Sequence, residues 1–195
     1  KALELRPDHA AAWVERGDLF ALLGLWDLAT ADFEEEFKLR EPDGPARWYR
    51  LALLRLYLGD TQGYRRTCAR MRERFRGTHD MEFASEVVRA SVLAADPEAD
   101  LRPLLQQALH AHPARPSIWY DRYILGIVEY RSGNFAQAVE HLQGSLGGHP
   151  EWEVRALSYP VLAMAPHRLG RTADARAALQ ATAEAIDRWT RDRYG

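Results

Sequence analysis

The stretch Leu125–Leu142, LGIVEYRSGNFAQAVEHL, reads as two short helices meeting at Gly133. Gly126 lies seven positions before that glycine, Ala138 five after it and Leu142 nine after it. The same frame surrounds Gly24 (Gly17, Ala29, Phe33), Gly59 (Ala52, Tyr64, Cys68) and Gly170 (Ala163, Ala175, Leu179). Four copies in register do not arise by chance, and a frame recurring every few tens of residues marks a helical array. The small residue lets a neighbouring helix approach closely, and larger side chains fill the space on either side of it.

Working outward, Trp13, Gly17 and Phe20 fall on one face of a helix over His9–Leu23, and Gly24 ends it. Trp26–Arg40 is the second helix, stopped by Pro42. Ala46–Leu58 and Thr61–Phe75 repeat the pair, with Trp48, Leu51 and Ala52 spaced as Trp13, Arg16 and Gly17 are. The third unit is degenerate: Met81–Ala95 has helical spacing, but the region of Ala94 replaces the turn glycine and Asp96-Pro97 makes the break before Leu101–His110. In the fourth, Gly144, Gly147 and Gly148 weaken the second helix, since an interior glycine costs about 1 kcal/mol relative to alanine. In the fifth, Pro160 and Pro166 predict a kinked first helix or a later start. The small residues Gly17, Ala52, Val87, Gly126 and Ala163 recur with a period of about 34 to 39. The expected units are 8–42, 43–78, 79–113, 114–150 and 151–189, and residues 1–7 (KALELRP) read as the end of a preceding helix. No sheet is required.

Composition sets the outer limits. The 195 residues are 47% apolar and 28% charged, as in a folded globular chain, with a net charge of −2 that gives no electrostatic reason for nucleic acid or a membrane surface. Cys68 is the single cysteine, so no internal disulfide and no four-cysteine zinc site can form. No apolar run approaches the roughly 18 residues that span a bilayer. The start has no signal-like character, and the chain reads as a segment of a longer cytoplasmic protein.

The period and frame resemble the tetratricopeptide repeat, whose Trp, Leu-Gly, Tyr, Ala, Phe and Pro positions are a packing recipe for a hairpin of about 34 residues. Here that pattern stands as Trp13, Gly17, Phe20, Ala29, Phe33 and again as Leu125, Gly126, Ala138, Leu142, Pro150. It departs at Arg16, where leucine is usual, and at Arg122 and Glu129, which fall where the fourth unit packs. More loosely, the chain is similar to repeat segments that follow kinase or propeller domains in large bacterial signalling proteins.

The resemblance implies an all-α, right-handed α-solenoid of about five hairpins whose first helices line a concave groove. The implied groove residues are Val14, Asp18 and Ala21; Tyr49, Leu53 and Leu56; Ala84, Val88 and Ser91; Tyr123, Ile127 and Tyr130; and Pro160, Met164 and His167. That stripe is apolar and tyrosine-rich, which suits an apolar or aromatic peptide, although Tyr123 and Tyr130 equally suit the core between repeats. Val14 and Asp18 stand where repeats that clamp a C-terminal carboxylate carry cationic and amide side chains.

The remaining constellations carry no chemistry. Arg65, Arg66, Arg70, Arg72, Arg74 and Arg76 lack the interleaved aromatics of a nucleic-acid surface. Asp32, Glu34, Glu35 and Glu36 on the neighbouring second helix are expected to pair with them. His110 and His112 do not share a helical face, which argues against a metal. No acid/base pair and no phosphate-cradling loop stands out. The expected function is a protein–protein interaction scaffold without catalysis, cofactor or metal. The alternatives are a cis-regulatory appendage of an attached catalytic domain, such as a kinase, and self-association into a homo-oligomer.

Overall fold

Each turn glycine has a left-handed backbone that L side chains avoid, with φ of 74° at Gly24, 80° at Gly59, 83° at Gly133 and 74° at Gly170. The hydrogen bonds around them are the same four times over. The glycine N–H reaches back three residues and the next N–H reaches back five, as in Leu25 to Phe20 at 2.9 Å and Asn134 to Glu129 at 2.9 Å. This double bond satisfies carbonyls that the ended helix leaves open. It also fixes the start of the second helix, so the residue five after the glycine always lands in the interface. Ala29, Tyr64, Ala138 and Ala175 are all buried there.

The computed structural model describes residues 8–78, 80–96, 99–101, 103, 118–147 and 152–194. Among them are nine helices and no strand: α1 (Ala10–Leu22), α2 (Trp26–Leu39), α3 (Pro45–Tyr57), α4 (Thr61–Arg74), α5 (Met81–Val92), α6 (Ile118–Arg131), α7 (Phe135–Leu146), α8 (Trp152–Arg168) and α9 (Thr172–Tyr194). The chain forms two compact units, Lys1–Ala99 and Asp100–Gly195. The helix end expected at residues 1–7, the second helix of the third repeat and the His110/His112 pair lie outside the described residues.

In the first unit, hairpins α1–α2 and α3–α4 are followed by α5. A spine of edge-on rings runs through it, from Phe37 to Trp48 (4.6 Å), to Phe75 (6.4 Å), to Phe83 (5.6 Å). Trp48 is buried, and its indole N–H donates to the Pro42 carbonyl at 3.2 Å. The small residues set helix approach: a Cβ on Gly17 would come within 2.7 Å of the Phe33 ring. Arg16, the departure from leucine, makes a two-pronged pair with the buried Asp32 (2.7 Å on each prong) and lies 4.9 Å over Trp13. Where α5 ends without a turn glycine, Tyr64 substitutes for one. Its hydroxyl donates to the Ala90 carbonyl (2.8 Å) and accepts from the Ala94 N–H (3.1 Å).

In the second unit, hairpins α6–α7 and α8–α9 stack. A Cβ on Gly126 would collide with the Leu142 side chain. A Cβ on Gly144, inside α7, would collide with the Arg122 side chain, so this glycine leaves room for the out-of-pattern arginine. Neither proline delays or interrupts α8, which runs from Trp152 through Pro160 and Pro166 to Arg168. The fourth copy of the frame is looser: Ala163 is half-buried and Leu179 is 62% exposed, because α9 packs only on α8 among the described helices.

Candidate partner-binding face

The helices that lead each hairpin pack on one another between α3 and α5 and between α6 and α8, but not between α1 and α3, where no Cα of one comes within 8 Å of the other. The residues between them explain the gap. Where α3 meets α5, small apolar residues (Ala84, Val87, Val88) are buried and the Arg89 guanidinium lies 4.2 Å from the centre of the Tyr49 ring. Between α1 and α3 the Arg50–Asp18 ion pair takes that place. On the α2 side of the same hairpin, Phe37 packs on Trp48, Arg47 pairs with the buried Glu36 and Arg55 with Glu34 at 2.6 Å. An arginine reaching a carboxylate holds two backbones further apart than a valine packed on an alanine does.

The result is a cleft bridged midway by the Arg50–Asp18 pair. Towards the C-terminal ends of both helices it opens into a cavity of 360 Å³ lined by Asp18, Ala21, Leu22 and Arg50. Exposed apolar groups surround that end: Leu22 is 85% exposed, Tyr57 73% and Leu53 38%. The Trp26 ring meets Tyr57 edge-on at 5.7 Å and joins the turns of the first two hairpins into one surface. Towards the N-terminal ends lies a second cavity, of 500 Å³.

The groove residues expected from the sequence divide into three groups. Leu53, Met164 and His167 are exposed, while Asp18, Ala21, Tyr49, Leu56, Tyr130 and Pro160 are half-buried. Val14, Ala84, Val88, Ser91, Tyr123 and Ile127 are buried, Val88 to 0% exposure, and offer a partner no surface. For all of these but Val14, which lies on α1, the reason is geometric: where leading helices pack directly, this stripe is partly used up against the neighbouring helix. Tyr130 leans on Phe135 at 5.6 Å. The sequence reading missed Leu22, Tyr57, Arg47 and Arg50.

The expected pairing of the two charged runs is also corrected. The α2 acids meet Arg16, Lys38, Arg47 and Arg55. The α4 arginines go elsewhere, Arg70 to Glu41, Arg72 to Asp96 (3.2 Å) and Arg74 to Asp43 (3.6 Å). The α2 acids are taken by α1 (Arg16), by α3 (Arg47 and Arg55) and, for Glu35, by Lys38 within α2 itself.

No group of three metal-binding side chains occurs among the described residues, and no described helix is long and apolar enough to cross a membrane. Cys68 is buried, its thiol is 3.6 Å from the Ala90 carbonyl, and burial pushes its pKa up to about 11. Such a thiol is not poised as a nucleophile.

No protein-family model and no curated protein matches the sequence. Solved structures do match in shape. PilW, a widely conserved type IV pilus biogenesis factor, is 18% identical with a TM-score of 0.62 over 91% of this chain and 78% of PilW. TTC0263, a thermophilic TPR protein of Thermus thermophilus, is 23% identical with a TM-score of 0.53 over 90% of this chain and 91% of its own. YrrB, a TPR protein with an unusual peptide-binding site, is 13% identical with a TM-score of 0.52 over 95% of this chain and 90% of its own. With the four identical glycine turns and the small-residue contacts, these likenesses show the fold: an all-α helical repeat like that of TPR proteins.

Proposed function

We propose that the chain is a protein-interaction module whose α1/α3 cleft receives an apolar or aromatic partner segment. The observation that carries this is the separation of α1 and α3 beside leading helices that otherwise pack directly. A partner would bury Leu22, Leu53 and Tyr57, which now face solvent, and exposed apolar surface gathered beside a cavity is a common mark of a docking site. The cleft takes on the role expected of the whole leading-helix stripe and confines it to the first two hairpins. YrrB, a TPR protein with an unusual peptide-binding site, supports a peptide-binding use of this fold.

The test is selection of peptides from a random library on the whole chain, followed by affinity measurement against a Leu22→Asp/Tyr57→Asp double variant. Both positions are exposed, so the fold is spared. Selected peptides should be rich in apolar and aromatic residues and bind the variant at least tenfold more weakly. Peptides that bind both proteins alike would place the docking site elsewhere.

A further inference from the structure

The two compact units carry a recess at the same place in the repeat but with opposite chemistry. It lies where the second helices of successive hairpins, α2 and α4 in the first unit and α7 and α9 in the second, keep their Cα atoms more than 8 Å apart. The leading helix between them, α3 or α8, forms the floor. Counted from the turn glycines Gly59 and Gly170, the lining corresponds position by position. The ring eleven before the glycine is Trp48 or Tyr159, and the residue eleven after it is Arg70 or Ala181.

In the first unit the chain lays its own planar groups across this floor. The Arg70 guanidinium lies 5.4 Å from the centre of the Trp48 ring. Arg55 donates to Glu34 on α2, and on α4 to the Gly63 carbonyl (3.0 Å) and the Thr67 hydroxyl. In the second unit these charged and hydroxyl side chains are gone. Pro166 stands in register with Arg55, Ala178 with Thr67, Ala181 with Arg70 and Gln143 with Glu34, while Tyr159 keeps the ring. What is left is a cavity of 320 Å³ with Leu162 and Pro166 beside Tyr159 and the short side chains of α9 along one wall. That volume is near the lower end of the roughly 300–1,000 Å³ of small-ligand sites, room for one ring rather than for a helix. Its two charged groups, the exposed Arg171 and Asp174, are of opposite sign and favour neither a cation nor an anion.

We propose that this recess receives one aromatic side chain of a partner segment, its ring against Tyr159 and Pro166, in the place where the first unit lays the Arg70 guanidinium. Ring against ring is a favourable contact in offset or edge-on geometry, and alanines on α9 let a flat group slide in beside them. The site belongs to the second unit and does not depend on the α1/α3 cleft.

The experiment is a titration of the whole ¹⁵N-labelled chain with N-acetylphenylalaninamide, followed through its amide resonances, with N-acetylleucinamide and N-acetylargininamide as comparators. The phenylalanine derivative should shift the Ala177, Ala178 and Ala181 signals saturably, with a dissociation constant at least threefold below either comparator. Ala181→Arg, which restores the arginine of the first unit, should abolish the shift. Ala177→Leu, at an exposed position on the cavity wall, should weaken binding at least threefold without altering the melting temperature, and it decides the matter if the arginine variant does not fold. Absence of a saturable shift, a comparator that binds as well or better, or an unchanged titration in Ala177→Leu would each overturn the proposal.

Discussion

Glu36 shows how one side chain can report on its surroundings. Burial raises its pKa above the ordinary 4.5, and the hydrogen bond from Arg47 only partly offsets this. The native state therefore binds the Glu36 proton more tightly than the unfolded chain does. The resulting stabilisation is full below pH 4.5 and is lost as pH rises through the native value. Glu36→Gln does not titrate, so the stability difference between variant and parent should move in favour of the variant as pH rises from 4 to 7. Urea melts at each pH would show it, and a difference that does not vary with pH would contradict it. Cys68 gives a second test. With its thiol raised to about 11 and enclosed beneath α5, it should resist a thiol reagent at pH 8 in the folded chain and react fully in guanidinium. Of these two environments, only the burial of Cys68 was legible in the sequence. The spacing around Gly59 placed Cys68 in an interface, but nothing local to Glu36 reveals that Arg47, eleven residues on, will cover one of its oxygens and leave the other bare.

The helical hairpin is where sequence and structure agree best, because its determinants are local. A glycine with φ near 80°, a small residue seven before it and a buried residue five after it fix a hairpin without distant information. Gly126→Ala should cost about 1–3 kcal/mol, since Leu142 must yield to the new methyl. Gly133→Ala meets no atom but is held at φ 83°, and should cost roughly 1 kcal/mol through backbone strain alone. Equilibrium denaturation of both variants would separate crowding from strain, and a larger cost at Gly133 than at Gly126 would contradict the account. The hairpin that failed the frame explains itself: Tyr64, thirty residues away, caps α5 in place of a glycine. The cleft was illegible for the same reason. Asp18 and Arg50 are thirty-two residues apart, and no pattern within one helix shows that their pairing will hold α1 off α3.

At the scale of the molecule, each of the two compact units contains leading helices that pack directly, and only the first also contains a pair that do not. On its α2 side the seam between hairpin α1–α2 and α3 is joined by the Phe37–Trp48 rings as well as by ion pairs, whereas on its α1 side it is bridged by the half-exposed Arg50–Asp18 pair. Raising salt screens such pairs, worth about 0–1 kcal/mol each, while leaving the aromatic spine from Trp48 to Phe83 unaffected. Hydrogen exchange in α1 should therefore quicken up to about fivefold between low and high salt, with α5 unchanged. Equal quickening in both helices would mean that the seam is no weaker than the core. A contact fastened by one charge pair rather than interlocked side chains would also be first to give under load. Tension applied between α1 and α3 should open that edge at low force, before the Phe37 and Trp48 rings part.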